Sequence, residues 1–398
     1  MIVIYYKINV FDLSINTKYY PHKSNLELRQ SLFLFKILSR PFFVRLSLYI
    51  YKFLNFINFP IQSLIKFTGY DQFCAGISVE SSYIFSRRMA EYNVYSALDY
   101  ANEHGENEDD FEHNTLNVLK TIDFAISNNS YPFAVLKPSA IGSFYLFEKK
   151  SNQQHFSSNE LFKWEKINQR MNRLANAAAN AGLVLMIDAE ESWIQKGVNS
   201  LVLPLLRKFN SKNIVIAITL QCYLKNSFEF YSSLIKDAKL HSYYLGIKFV
   251  RGAYMEKERA RALELNISSP VCETKKITDE QYRNSILLAI NKLKSHLCIV
   301  ATHNIKDIDW VLNYCESNNL RIDNPNLWFS QLYGMRDYIS FSLASQRANV
   351  FKYIPYGPLK QAIPYLIRRA LENSSMKKQT KHECEMIRRE LSKRNLSD

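Results

Sequence analysis

A tyrosine, two adjacent arginines and a glutamate recur at helical spacing near the end of the sequence. Tyr365, Arg368, Arg369 and Glu372 stand at i, i+3, i+4 and i+7, so on a helix they share one face. Adjacent guanidinium groups form a fork that suits a carboxylate or a phosphate. We expect the opposite, apolar stripe to face a core; it consists of Ile363, Leu366, Ile367, Ala370 and Leu371. The plain alternative is that the charged face is solvated.

The elements that would position these groups are eight short apolar runs, separated by longer amphipathic stretches. The runs cover residues 93–100, 133–138, 182–191, 213–221, 245–252, 297–304, 326–334 and 349–357. Apolar strands that alternate with helix-like stretches indicate a parallel sheet covered by helices. Eight such units predict an α/β protein with a (β/α)8 TIM-type barrel.

Polar residues lie at the far end of every predicted strand, where barrels of this kind carry function. In chain order they are Asp99, Lys137, Asp188 with Glu190 and Glu191, Gln221, Arg251, His303 with Asn304, Gln331 and Tyr353. The helix with the arginine pair follows the eighth run directly, so its first turns would lie near the barrel mouth. We therefore prefer a functional role for the arginine pair to a solvated face.

Composition limits the other classes of function. The 398 residues include 51 Lys and Arg against 37 Asp and Glu, a net charge of +14, which permits binding to nucleic acid or an anionic membrane. No nucleic-acid-binding signature accompanies this charge, and no G-x-G-x-x-G or Walker A sequence is present. The histidines and cysteines lack ligand-like spacing, so we expect no metal site. The six cysteines indicate reduced, mostly buried thiols of a cytoplasmic protein.

The two ends of the chain differ from its middle. Residues 34–67 are crowded with Phe, Tyr and Ile but interrupted by Lys and Arg, so they would pack on a core or lie on a membrane surface rather than span a bilayer. Residues 376–394 mix both signs of charge and predict a solvated helix with a basic bias. We expect a mainly helical, aromatic-rich extension over residues 1–70, a catalytic barrel over residues 71–375 and a basic tail over residues 376–398.

Seven ordered sequence blocks resemble the motif set of proline dehydrogenases, which are flavoenzymes built on a distorted (β/α)8 barrel. The blocks are VLKPSA (135–140), IDAEE (187–191), TLQCY (219–223), KFVRGAYMEKE (248–258), ATHN (301–304), FSQLYGM (329–335) and YIPYGPLKQAIPYLIRRALEN (353–373). One block falls on each predicted strand from the second onward. The resemblance implies FAD as cofactor and oxidation of L-proline to 1-pyrroline-5-carboxylate by hydride transfer.

The resemblance also implies roles for single residues. The substrate carboxylate would be held by Lys137, Arg368 and Arg369. Tyr353 and Tyr365 would pack on the substrate ring, with a tyrosine at 353 favouring proline over hydroxyproline. Asp188 would support this pocket, Glu372 would order the arginine pair, and the catalytic set would be Lys137, Asp188, Lys248 and Tyr353. The cofactor would be bound by Gln221, Lys248, Arg251, Gly252, Ala253, Tyr254, Thr302, His303 and Asn304.

The fifth predicted strand departs from the family pattern. That motif often begins with an arginine near the flavin N5 and has a lysine three residues later, whereas here Lys248 precedes Arg251. Both positions keep a positive charge, but the guanidinium stands at the second position of the motif instead of the first. Lys248 and Arg251 are therefore alternatives for the side chain that contacts the flavin. Phe249 stands where an aliphatic residue is common, which would narrow the pocket.

Partners and location follow from the same resemblance. Electrons would pass from FAD to a quinone or another membrane acceptor, and residues 34–67 would make peripheral membrane contact. The reaction, on a CH–NH donor, would be the first step of proline catabolism to glutamate. A separate pyrroline-5-carboxylate dehydrogenase would take the product, since the chain has no room for a fused module. We expect a cytoplasmic, monofunctional enzyme on the inner face of the membrane, or alternatively on the matrix side of the mitochondrial inner membrane.

Two other functions stay open at this point. An aldolase-type lyase would use the same barrel with Lys137 or Lys248 as a Schiff-base nucleophile. A membrane-attached interaction protein would use the aromatic N-terminus and the basic tail, but it leaves the strand-end polar groups unexplained. Single residues also have plainer interpretations: Lys137 in an ion pair with Asp188, His303 as a capped loop histidine, Asp99 as structural, and Glu190 and Glu191 as caps of the helix after the third strand.

Overall fold

The computed structural model describes residues 19–56, 69–101, 105–126, 132–375 and 377–395. Its strands β1 to β8 cover Val94–Tyr100, Phe133–Leu136, Val184–Ile187, Ile216–Gln221, Leu245–Val250, His296–Ala301, Leu327–Leu332 and Asn349–Tyr356. Within the same residues, helices α1 to α16 cover Asn25–Leu38, Pro41–Phe56, Asp71–Phe73, Val79–Ala90, Glu108–Ile126, Pro138–Ile141, Phe144–Ser151, Ser158–Ala181, Ser192–Phe209, Ser227–Leu240, Met255–Glu264, Lys275–Ile290, Ile305–Ser317, Asp337–Ser345, Leu359–Ser375 and Lys377–Asn395.

The eight strands form a closed barrel in which each strand neighbours the next one in the chain. Pairing along the barrel is parallel, with Leu185 opposite Ile216 and Ile247 opposite Cys298. Each predicted apolar run overlaps one strand, so the prediction of a (β/α)8 barrel with an N-terminal helical extension is confirmed. The strands are mostly shorter than the runs, because the polar residues at the run ends leave the sheet; β3, for example, ends at Ile187.

The chain forms two compact units, residues 97–330 and residues 1–96 with 331–398. In the unit of residues 97–330, strand residues such as Leu185, Ile216 and Ile299 are completely buried, because a parallel sheet is covered on both faces. Side-chain caps fix where its helices begin: Ser157 closes a capping box at α8, and Asn304 accepts a hydrogen bond from Lys306 N at α13.

The other unit carries both ends of the described chain. Helix α1 packs against α16, and α2 packs against α15. The Tyr20 hydroxyl donates to Glu383 over 2.9 Å, and Arg394 donates to the carbonyl oxygen of Tyr20 over 2.8 Å. One face of α16 is buried, including Cys384, Met386 and Ile387, so the expectation of a solvated C-terminal helix is wrong. The domain boundaries placed at residues 70 and 375 stay predictions.

The predicted surface segment 34–67 is described up to residue 56, and its other residues lie outside the described part of the chain. Helix α1 turns Phe35 and Leu38 inward. Helix α2 leaves large apolar side chains exposed, namely Phe42, Phe43, Leu46, Tyr49 and Ile50. No helix of the described residues is both long and apolar enough to cross a bilayer. All six cysteines are buried thiols, as predicted.

Candidate active site

Two lysine–aspartate ion pairs lie toward the carboxyl ends of the strands in residues 97–330. Lys137, directly after β2, pairs with Asp99 near the end of β1, and Lys248 in β5 pairs with Asp188 just after β3. Thr219 of β4 donates a hydrogen bond to the same Asp188 carboxylate over 3.3 Å. All four charged side chains are largely buried. Because buried charges require partners, these pairs fix where both ammonium groups lie.

Asp99 is the residue of this group for which the sequence predicts a structural role. The structure makes it the ion-pair partner of Lys137, whereas Asp188 pairs with Lys248, so the plain interpretation that paired Lys137 with Asp188 named the wrong carboxylate. Which strand-end side chains meet depends on strand order and stagger, and these are not visible in one sequence. The available signal was the position of Asp99 at the end of the first strand.

Arg251, just after β5, donates hydrogen bonds from all three guanidinium nitrogens. Nε donates to Asp279 over 2.7 Å, Nη2 to Asp307 over 2.6 Å, and Nη1 to the Thr302 hydroxyl over 3.3 Å. The guanidinium also lies 4.6 Å from the centroid of the Tyr282 ring, a cation–π contact. Burial lowers the pKa of Arg251, but Asp307 and then Asp279 outweigh burial and raise it. Arg251 is therefore a cation held in place by the protein.

The backbone after β5 continues the pairing with the end of β4. Tyr223 N donates to the carbonyl oxygen of Arg251 over 2.7 Å, and Ala253 N donates to Gln221 Oε1 over 3.4 Å. Between them, Gly252 has a φ of +140°, which favours glycine. A Cβ at this position would lie 1.5 Å from a ring carbon of Tyr223. The turn therefore requires glycine at residue 252.

Helix N-termini follow β5 and β6. Tyr254 is the N-cap residue of α11 and Asn304 that of α13. The Thr302 hydroxyl accepts a hydrogen bond from Asn304 N over 3.1 Å, and His303 between them is half-buried. Backbone N–H groups at helix N-termini are donors for a phosphate-bearing group, and Arg251 fixes the loop that carries one of these N-termini. The side-chain amide of Gln221 is linked to the turn after β5, because its Oε1 accepts the hydrogen bond from Ala253 N. The residues present therefore fit a dinucleotide such as FAD.

The predicted tyrosine–arginine face belongs to α15, in the unit of residues 1–96 and 331–398. Arg369 donates to Glu372 over 2.6 Å, and its guanidinium lies 5.1 Å from the centroid of the Tyr365 ring. Tyr365 and Arg369 are only 5% and 7% exposed, and Arg368 is half-buried. The Nε atom of Arg369 has no hydrogen-bond partner among the described residues. The structure brings these side chains together as the spacing predicts.

The buried face of α15 is opposite to the predicted one. Ala362, Tyr365, Arg369 and Asn373 are buried, whereas the residues of the apolar stripe are partly accessible and Leu371 is 43% exposed. The expectation that the apolar stripe faces a core is wrong, and so is the alternative of a solvated charged face. Periodicity separates two faces of a helix but does not decide which one is buried.

Tyr353 lies in β8 and is 9% exposed. Its carbonyl oxygen accepts a hydrogen bond from Tyr333 N over 2.9 Å. The preceding residue, Lys352, points the other way, because side chains alternate along a strand, and pairs with the buried Asp337 over 2.9 Å. The strand is thereby held on one side by an ion pair while it presents Tyr353 on the other.

Of the two acids predicted to cap the helix after β3, Glu191 occupies the N-cap position and Glu190 does not. Glu191 is the N-cap residue of α9, but its side chain makes no capping hydrogen bond and pairs with Lys257 over 2.6 Å. Glu258, from α11, takes that place: its carboxylate accepts hydrogen bonds from the N and Oγ atoms of Ser192, each over 2.6 Å. A cap supplied by a distant helix leaves no local sequence signal.

Comparison with known proteins identifies the family of this chain. The family model described as proline dehydrogenase matches residues 85–382. The chain belongs to the proline dehydrogenase family. Among its relatives, the carbapenem antibiotics biosynthesis protein CarD of Pectobacterium carotovorum is 34% identical over 77% of this chain and 79% of that protein. Mitochondrial proline dehydrogenase 1 of Dictyostelium discoideum is 28% identical over 92% of this chain and 72% of that protein. Human mitochondrial proline dehydrogenase 1 is 37% identical over 60% of this chain and 40% of that protein.

Solved structures of proline utilization A (PutA) share the fold. The protein from Bdellovibrio bacteriovorus matches with a TM-score of 0.68 and 19% identity, over 77% of this chain and 33% of that one. A Bradyrhizobium japonicum variant matches with a TM-score of 0.63 and 20% identity, over 76% of this chain and 31% of that one. This chain thus spans about a third of those proteins. With the family established, we set aside the aldolase-type and interaction-protein alternatives; both candidate Schiff-base lysines are ion-paired.

Proposed function

We propose that this chain oxidises L-proline to 1-pyrroline-5-carboxylate, the first step of proline catabolism to glutamate, with FAD as cofactor. Family membership supports the reaction class, oxidation of a CH–NH donor. The observation that carries the proposal is the inward-turned face of α15, on which the buried Arg369 keeps a donor without a partner among the described residues. A buried guanidinium with a spare donor favours binding of an anion such as a carboxylate.

In this proposal, Lys137, Arg368 and Arg369 hold the substrate carboxylate by charge-assisted hydrogen bonds. Tyr353 and Tyr365 pack on the pyrrolidine ring, and a tyrosine at 353 favours proline over hydroxyproline. A substrate fixed at both ends is oriented for reaction, which removes much of the entropic barrier. The substrate amine must be neutral before hydride leaves the neighbouring carbon, and a cluster of cations favours loss of its proton.

FAD supplies the hydride acceptor, which no side chain can provide. The residues that would hold it are Gln221, Lys248, Arg251, Gly252, Ala253, Tyr254, Thr302, His303 and Asn304. Arg251 donates from all three nitrogens to protein groups, so we assign it to anchoring the loop after β5. Lys248, which Asp188 fixes, is then the cation that addresses the reacting end of the cofactor. The catalytic set is Lys137, Asp188, Lys248 and Tyr353.

The test is the visible spectrum of the purified protein before and after L-proline is added without oxygen. A flavin absorption band at about 450 nm that bleaches with L-proline supports FAD as the cofactor, hydride transfer as the reaction and L-proline as the substrate. Bleaching by a related imino acid but not by proline would retain the reaction and change the substrate. A colourless protein that does not take up FAD overturns the proposal.

We further propose a quinone or another membrane acceptor for the electrons, with peripheral membrane contact through α2. The exposed apolar side chains of α2 support this contact, because such a helix can lie in the membrane interface. The location would be the cytoplasmic face of a membrane, or the matrix side of the mitochondrial inner membrane, since the human and Dictyostelium relatives are named mitochondrial. A separate pyrroline-5-carboxylate dehydrogenase would consume the product.

Replacing Phe42 and Tyr49 by serine tests the membrane contact. These side chains are 70% and 72% exposed, so we expect the free energy of unfolding to change by less than about 0.5 kcal/mol. Binding to anionic liposomes should weaken about tenfold or more, because two aromatic groups are lost from the bilayer contact. Leu240→Ser, at a side chain that is 78% exposed in the other unit, is the matched control. Undiminished liposome binding by the double variant would count against α2 as the contact.

A further inference from the structure

Glu190 is a buried acid after β3 that none of the roles above uses. It is 3% exposed, and its Oε1 accepts hydrogen bonds from the N and Oγ atoms of Ser139 over 3.0 and 2.9 Å. Its Oε2 is buried and has no hydrogen-bond partner among the described residues. Oε2 lacks a partner in either protonation state, but burying an unpaired oxygen of an ionised carboxylate costs more free energy than burying an unpaired neutral hydroxyl. The geometry therefore favours the neutral carboxylic acid.

The same residue connects the loops that follow four successive strands. Through Ser139, it fixes the turn that begins at Lys137 after β2. Its carbonyl oxygen accepts a hydrogen bond from Gln221 Nε2 over 2.7 Å at the end of β4. The amide oxygen of Gln221 in turn accepts from Ala253 N over 3.4 Å after β5. A proposed carboxylate ligand and two proposed cofactor ligands are thus joined through Glu190.

We propose that Glu190 is a positioning residue for the substrate carboxylate. It anchors the Lys137 turn through Ser139, and as a neutral acid it adds no negative charge near the Lys137–Asp99 ion pair, where such a charge would repel a substrate anion. The inference rests on the proposed function, because it takes Lys137 as a ligand of the proline carboxylate.

Electrostatics around Glu190 support this role. Burial raises the pKa of Glu190 to about 8; Glu191 acts in the same direction, and Ser139 and Lys137 act against it. Glu190 is therefore mostly uncharged at neutral pH and ionises at higher pH. The charged groups nearby are already paired, as Lys137 with Asp99, Lys248 with Asp188, and Lys257 with Glu191. An ionised Glu190 would be an unpaired negative charge near Lys137 and would repel a substrate anion.

The test measures the Kd of tetrahydrofuran-2-carboxylate by calorimetry on the FAD-loaded protein, from about pH 6.5 to about pH 9.5. This proline analogue carries oxygen in place of the amine, so it keeps the ring and the carboxylate but has no group that titrates in this range. A change of Kd with pH therefore reports the protein. In the wild type, we expect the Kd to rise about five- to tenfold across the range.

Glu190→Gln is the matched variant, because its amide oxygen accepts both Ser139 hydrogen bonds and cannot ionise. We expect its Kd to stay within about twofold of the wild-type value at about pH 7 and to lack the alkaline rise. Ser139→Ala removes one hydrogen bond that lowers the pKa of Glu190, so its alkaline rise should move to higher pH. Glu190→Ala removes the acceptor and should weaken binding about tenfold at every pH.

Three results would overturn the inference: a wild-type Kd that does not change with pH, an equal alkaline rise in Glu190→Gln, or a Glu190→Gln variant that binds as weakly as Glu190→Ala. Circular dichroism and flavin content establish that each variant is folded and loaded. The proposed function fails by a different result, which is a wild-type flavin that L-proline does not bleach.

Discussion

At the scale of single residues, the hydrogen-bond partners of a buried guanidinium distinguish an arginine that holds a loop in place from an arginine that binds a substrate. Arg251 meets two aspartates, a hydroxyl and an aromatic ring. Arg369 meets Glu372 and the ring of Tyr365, and its Nε has no partner among the described residues. A guanidinium carries five donor hydrogens, so Arg369 keeps donors for a ligand. We therefore expect Arg369 to contribute more to substrate affinity than Arg251.

Arg369→Met should raise the KM for L-proline about 10- to 100-fold, because one charge-assisted hydrogen bond contributes about 1.5–3 kcal/mol. Arg369→Lys keeps the charge but loses the planar fork, so its KM should lie between those of the wild type and Arg369→Met. Steady-state kinetics at fixed flavin content measures both. Arg321→Met, which removes an arginine that is 80% exposed and paired with Asp323, should leave the KM within about twofold. An unchanged KM in Arg369→Met would remove Arg369 from the substrate site.

At the scale of elements, the barrel strands could be predicted because parallel strands are buried on both faces and form continuous apolar runs. The family motifs then named the candidate site residues. The partners of these residues could not be named, because the pairs Lys137–Asp99 and Ser139–Glu190 join the ends of different strands. The sequence also did not predict which face of α15 is buried. Its apolar stripe is long enough to suggest a core face, yet the tyrosine–arginine face is the buried one.

The turn after β5 is an element whose shape depends on one residue. Gly252→Ala would place a methyl carbon 1.5 Å from the Tyr223 ring at a φ of +140°. We expect the free energy of unfolding to fall by at least about 2 kcal/mol, because both the backbone strain and the overlap must be relieved. Flavin content should fall as well, because the turn joins Arg251 to Ala253 and both are proposed cofactor-binding residues. Urea unfolding and the absorbance ratio after gel filtration measure the two effects.

Gly182→Ala is the matched control for this turn. Gly182 ends α8 with a φ of +66°, and a Cβ there would meet no atom within 4 Å. The substitution should cost about 1 kcal/mol from backbone conformation alone and should leave the flavin content unchanged. If Gly252→Ala were no less stable than Gly182→Ala, the close contact with Tyr223 would not be what requires glycine.

At the scale of the whole molecule, both ends of the described chain converge on buried charges within the unit of residues 1–96 and 331–398. Asp337, at the start of α14, lies 2.9 Å from the Lys352 ammonium, 3.5 Å from His22 and 3.8 Å from Lys23. Nearby, Glu383 of α16 accepts hydrogen bonds from the Tyr20 hydroxyl and from Arg336 N. The N-terminal segment, β8 and the C-terminal helix therefore depend on one another through ion pairs that water does not screen.

Asp337→Asn should lower the free energy of unfolding at neutral pH by about 3–5 kcal/mol, because Lys352 and Lys23 would lose a buried counter-charge. Burial alone would raise the pKa of Asp337, but Lys352, His22 and Lys23 outweigh it and hold the pKa well below its ordinary value. A carboxyl whose pKa is lower in the folded state stabilises the fold above its unfolded pKa of about 4, and the stabilisation is lost as the pH falls below that value. The wild type should therefore lose stability between about pH 5 and about pH 3 more steeply than Asp337→Asn.

Urea unfolding at several pH values measures both the loss at neutral pH and the difference in slope. Asp323→Asn, at an exposed ion pair with Arg321, should change neither by more than about 0.5 kcal/mol. The double variant Asp337→Asn with Lys352→Met should be more stable than Asp337→Asn alone, because it no longer buries the orphaned lysine. Equal acid slopes in the wild type and Asp337→Asn would mean that Asp337 does not hold its charge in the folded state. The cluster would then join the chain ends by packing and hydrogen bonds, and its stability would not depend on this ion pair.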